Sequence, residues 1–150
     1  MTWRTWCVTG GFVLALVAMP RMDSLQARSI SPARSLAGNW GISFVGQSVP
    51  SLQPESGIGV AVLDGNGGIS GVETFNTGTR VCDVTLTGTY TVEPNGTGRM
   101  TIGSVSPIPD CSFTFHAAFV ILDRGTVLRL VGTEPGFVIL NEEWRRRPEY

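Results

Sequence analysis

Few residues in this chain are of a type and in a place to do chemistry, and Glu73 is foremost among them. It shares strand parity with Ile69 and Phe75, so a regular strand turns all three to one side. Desolvation among apolar side chains raises the pKa of a carboxyl. Such a group can act as a general acid or base, or anchor the polar part of a ligand. A bulge at Gly71 would instead turn Glu73 to water. His116, the single histidine, is out of phase with Phe113, Phe115 and Phe119, which places it on an outer face. No Ser-His-Asp or Cys-His arrangement can be built around it from spacing. The 11 basic residues are all arginine, so lysine Schiff-base chemistry is excluded. One histidine, with cysteines better used as a disulfide, does not make the spacing of a zinc site. No metal and no cofactor is expected.

The elements that must position Glu73 are β-strands. After Trp40 the chain reads as about eight short β-segments with almost no helical period. Strand four is the clearest: Val84, Leu86, Gly88, Tyr90 and Val92 alternate with Thr85, Thr87, Thr89 and Thr91. The expected strands are Asn39–Val45, Ile58–Leu63, Ile69–Phe75, one beginning at Val84, Thr97–Ser104, Cys111–Leu122, Thr126–Gly132 and Phe137–Trp144. Tight turns alternate with longer loops. Asp64–Gly68, Glu93–Gly96 and Asp123–Gly125 are tight, and Asn66-Gly67 and Asn95-Gly96 suit φ > 0. Gly46–Ser56, Asn76–Asp83, Gly103–Asp110 and the smaller Thr133–Gly136 are the others. In an up-and-down meander this puts the tight turns at one end, a floor, and the longer loops at the other, a mouth. An open sheet would expose two edges, and closing about eight strands removes both. The expected fold is all-β: an eight-stranded antiparallel up-and-down barrel. A soluble barrel is preferred to an outer-membrane one, because Arg99 and Arg129 would be hard to place against lipid.

The barrel domain is expected over residues 38–150, behind a flexible lead-in over 28–37. Residues 1–27 carry a positive start, an apolar run from Cys7 to Met19 and a small residue at Ala27. That is the pattern of a secretory signal peptide. The run is shorter than the roughly 18 residues of a membrane span, so no stable membrane insertion is expected after processing, although a retained anchor is the other reading. The mature chain keeps Cys82, before strand four, and Cys111, opening strand six. An even cysteine count in an exported chain implies a disulfide. Paired positions two strands apart lie about 10 Å from each other, but both cysteines border loops that can bend together. The alternative is two free buried thiols. The expected location is secreted or periplasmic. A net charge of -1 argues against nucleic acid.

Gly38-Asn39-Trp40, opening strand one, resembles the Gly-x-Trp start of lipocalins and avidins, the calycin group. In that group an arginine late in the last strand packs over the tryptophan and closes the floor. The resemblance assigns that role to Arg145, the first of Arg145-Arg146-Arg147, opposite Trp40. Leu86 to Thr91 also looks avidin-like, but no biotin-site pattern is present. The outer helix of lipocalins has no counterpart here. Periplasmic protease inhibitors built on a small disulfide-bonded barrel begin with a similar strand.

Parity brings Phe44, Phe75, Phe113, Phe115 and Phe137 to the mouth. With Glu73 and Tyr90 they make up the candidate ligand-binding set, which suits a small apolar molecule. Tyr90 points inward near the floor, where a core hydrogen bond competes with ligand contact. The aromatics would otherwise fill a closed core. Three functions follow: binding of a small apolar ligand, a cyclase or isomerase using Glu73, or a protein-interaction module such as a protease inhibitor. No enzyme activity is assigned. Strand six also turns Ala118, Val120 and Leu122 outward, beside Val127, Val131, Val138 and Leu140. A sheet apolar on both faces is covered on both, so a homo-oligomer through strands six to eight is expected.

Overall fold

The computed structural model describes residues 32–49, 51–135 and 137–148, with backbone alone at Phe137, Ile139 and Leu140. The proposed signal peptide and residues 28–31 lie outside the described residues.

Eight antiparallel strands form a closed barrel in chain order. They are β1 (Gly38–Ser48), β2 (Pro54–Leu63), β3 (Gly68–Asn76), β4 (Val81–Val92), β5 (Thr97–Val105), β6 (Phe113–Leu122), β7 (Val127–Gly132) and β8 (Phe137–Arg146). β8 closes the barrel on β1, pairing Trp40 with Arg146 and Ser48 with Phe137, with one irregularity between Val45 and Gly46. Closure gives each strand two neighbours, but among the described residues the short β7 pairs only with Ala117–Leu122 of β6 and Glu142–Arg145 of β8. The period-two pattern sets the faces. On β4, Cys82, Val84, Leu86 and Tyr90 are buried, while Thr85, Thr87, Thr89 and Thr91 are exposed.

The floor turns use backbone that glycine tolerates: Gly65, Gly67, Gly96 and Gly125 all have positive φ. Asp64 Oδ1 accepts N–H bonds from Asn66 (2.7 Å) and Gly68 (2.8 Å), and Asn95 Oδ1 accepts one from Thr97 (3.0 Å). Asn95 is thus a turn residue, as its position in a hairpin suggested.

The strands run further toward the mouth than the sequence implied. β1 continues to Ser48 and β2 starts at Pro54, with Gln47 opposite Pro54. β3 ends at Asn76 and β4 starts at Val81, so Cys82 lies inside β4 rather than before it. Three of the four mouth connections are therefore short, and only the one over residues 106–112 is long. Cys111 belongs to that loop, since β6 begins at Phe113.

The lead-in is also partly structured. Pro32–Leu36 is a 3-10 helix across the floor, and Leu36 is fully buried. Trp40 Nε1 donates to Leu36 O at 2.9 Å, and Arg146 Nη2 bonds Ser35 O. On the outside, Val120, Leu122, Val131 and Val138 are exposed as expected. Val127 is not: it is buried, with Leu122 and Arg145 beside it in the two neighbouring strands. The side chain of Leu140 lies outside the described residues. A second apolar strip, missed in the sequence, is exposed on β2, β3 and β5 through Ile58, Val60, Val72 and Val105.

Candidate functional site

The barrel is filled below and open above. Trp40, Leu63, Leu128 and Trp144 are essentially inaccessible. Above them is a cavity of about 460 Å³ whose lower wall includes Ile42, Leu86, Ile102 and Trp144. Glycine makes part of this room. β2 turns Gly57 and Gly59 inward, opposite Phe44 and Ile42 of β1. A Cβ at Gly57 would overlap Phe44 Cε1, so the Phe44 ring occupies the place where a β2 side chain would stand.

Glu73 points into this cavity. The β3 register runs through Gly71 without a bulge, Gly71 pairing with Ala61 and Glu73 with Gly59. Glu73 is 9 % exposed, and no hydrogen bond or ion pair among the described residues holds its carboxyl. Burial, and then repulsion from Glu142, push its pKa up to about 7.

Glu142 of β8 is the partner that the sequence reading missed. It is 7 % exposed and its Oε1 accepts the Trp144 indole N–H at 2.8 Å. Burial pushes it up to about 7 as well, with the indole bond pulling the other way. Repulsion between two carboxylates is mutual, so charging either one opposes charging the other. The signal for Glu142 was its parity with Trp144, two residues on in the last strand.

Phe44, Phe75, Phe113 and Phe115 all border the cavity, which is the aromatic mouth inferred from parity. Phe75 meets Phe113 edge-to-face, with ring centroids 5.4 Å apart. Phe113 lies at the rim and is 41 % exposed. Phe137 opens β8 at the same end, but its side chain lies outside the described residues. His116 is half-exposed at the rim, with Nδ1 3.0 Å from Thr101 Oγ1 and Nε2 3.3 Å from Glu134.

Tyr90 does not belong to this site. Its hydroxyl donates to Ala33 O (3.0 Å) and accepts from Gly65 N–H (3.1 Å), tying the 3-10 helix to a floor turn. The floor arginine is Arg146, not Arg145. The Arg146 guanidinium lies 5.1 Å from the centroid of the Trp40 ring. In-out alternation explains the difference: Trp144 faces inward, Arg145 faces out to Glu143, and Arg146 returns to the floor.

The cysteines form a disulfide between Cys82 and Cys111, with Cα atoms 5.6 Å apart. It fastens the long mouth loop to β4. Arg80 reinforces it, bonding Pro109 O at 2.7 Å and Asp110 at 3.3 Å. The rim carboxylates Glu55, Asp110 and Glu134 thus stand over a deeper pair, and no arginine lines the cavity among the described residues. The arrangement can enclose an apolar body and offer acid groups to one end of it.

Compared with family models, curated proteins and solved structures, the chain matches none.

Proposed function

We propose that this protein is an exported, calycin-like barrel that binds one small apolar molecule in its mouth. The observation that carries this reading is the cavity itself: about 460 Å³, open at one end, with phenylalanines on its upper wall. Its volume falls within the range of small-molecule pockets. The floor supports the calycin likeness, since the tryptophan that opens β1 lies under an arginine of the last strand. The disulfide supports export, because such bonds persist in oxidising compartments.

The test uses N-phenyl-1-naphthylamine, a neutral apolar dye that brightens when removed from water. Saturable one-to-one enhancement is expected with the wild-type protein. Phe113→Glu, at a half-exposed rim position, should keep the fold and weaken the dye by about tenfold or more. Absence of saturable binding to the wild type would remove the reading.

The same reading includes self-association through β6 to β8, supported by exposed Val120, Leu122, Val131 and Val138. Sedimentation velocity at micromolar concentration should show a species larger than the monomer. A monomer alone would count against it.

A further inference from the structure

We propose that the molecule held in the cup carries a protonated amine, seated against the Glu73 and Glu142 carboxylates with its apolar body among the phenylalanines. This inference rests on the reading of the mouth as an apolar-ligand site and names the ligand's polar end.

The first support is an unmet need. Glu73 as a residue is 9 % exposed, its carboxyl has no hydrogen bond or ion pair among the described residues, and it borders the cavity. Glu142 spends one oxygen on the Trp144 indole. Of four carboxylate oxygens, three therefore remain without a donor among the described residues. A buried carboxylate is costly unless it is paired. An ammonium group brings one positive charge and three N–H donors.

The second support is the surroundings. No arginine lines the cavity among the described residues, and its one histidine, His116, stands at the rim beside Glu134, so no fixed cation there faces the carboxylate pair. The charged groups facing the pair are all at the rim. Asp110 is paired with Arg80, Glu134 with His116, and Glu55 is a further acid. Aromatic faces attract cations through their quadrupoles, and Phe44, Phe75 and Phe115 line the same cavity as the carboxylates. A mouth whose charged groups are mainly acids also concentrates cations at its entrance.

A metal ion fits less well. Among the described residues no group of three or more His, Cys, Asp or Glu is placed to hold one. Calcium and magnesium need about six or more oxygen ligands, whereas an ammonium needs few and tolerates aromatic neighbours.

The experiment compares two probes of nearly the same shape by isothermal titration calorimetry at pH 7. These are 1-naphthylmethylamine and 1-naphthalenemethanol. The amine should bind the wild-type protein about tenfold or more tighter than the alcohol. Its binding should also release protons, seen as a dependence of the heat on buffer ionisation enthalpy, because the ammonium draws the carboxyls into their charged form. The double substitution Glu73→Gln with Glu142→Gln should abolish both the preference and the proton release. Equal or tighter binding of the alcohol by the wild type would overturn the amine inference and leave the apolar-ligand reading in place. Failure of both probes to bind would overturn the two together. The wild-type comparison decides the matter even if the double variant does not fold.

Discussion

Glu73 and Glu142 place two acid groups where an apolar core would be simpler. Each has its pKa pushed from 4.5 up to about 7 by burial. Between those values the folded state holds more protons than the unfolded state. Stability therefore falls as pH rises from about 4.5 to about 7 and levels off above that. One pKa unit is worth about 1.4 kcal/mol, so the pair together should cost a few kcal/mol at neutral pH. Urea unfolding is expected to show a lower midpoint at pH 8 than at pH 5. Glu73→Gln should flatten that slope and be the more stable protein at pH 8. A wild-type midpoint that rises across this range would contradict the assignment.

At the scale of elements, the floor is a small assembly of its own. The 3-10 helix Pro32–Leu36, the start of β1 and the end of β8 meet through Trp40, Leu36 and Arg146. Arg146→Met loses a cation–π contact and a hydrogen bond to Ser35, together worth about 1–2 kcal/mol. Arg145→Met removes only an exposed pairing with Glu143 and should cost less than about 1 kcal/mol. Denaturant titration of the two variants separates them, and equal effects would contradict the account of the floor. Strand faces were legible in the sequence because alternation is a local signal. Parity alone put Glu73, Phe44, Phe75, Phe113 and Phe115 on the inner wall. Strand ends were less legible. Near the rim the inner face meets an open mouth, so Glu55 and Ser48 interrupt the apolar pattern while backbone pairing continues through Gln47 and Pro54. Height along the strand was legible for Tyr90, which the sequence placed inward near the floor and whose hydroxyl is spent there on Ala33 O. Arg146 shows the reverse: its parity with Trp144 was visible, yet the neighbouring Arg145 carried the assignment.

For the whole molecule, strand pairing closes the barrel and the disulfide ties its long mouth loop to β4. The Cys82–Cys111 bond spans a sequence separation of 29. A loop of that length is worth about 3–4 kcal/mol by the chain-entropy relation. Cys82→Ser with Cys111→Ser should therefore lower unfolding stability by roughly that amount, read from chemical denaturation without reductant. A loss well under 1 kcal/mol would show that Arg80 and the strand ladder already hold the loop. The claim that the mouth is the binding place can be tested directly by solution NMR. The protein would be titrated with N-phenyl-1-naphthylamine while aromatic and carboxyl resonances are followed. The account predicts saturable shifts centred on Phe44, Phe75, Phe113, Phe115, Glu73 and Glu142, with the floor around Tyr90 and Arg146 unmoved. Shifts centred on the outer strip of Ile58, Val60, Val72 and Val105, or no saturable shift at all, would contradict it.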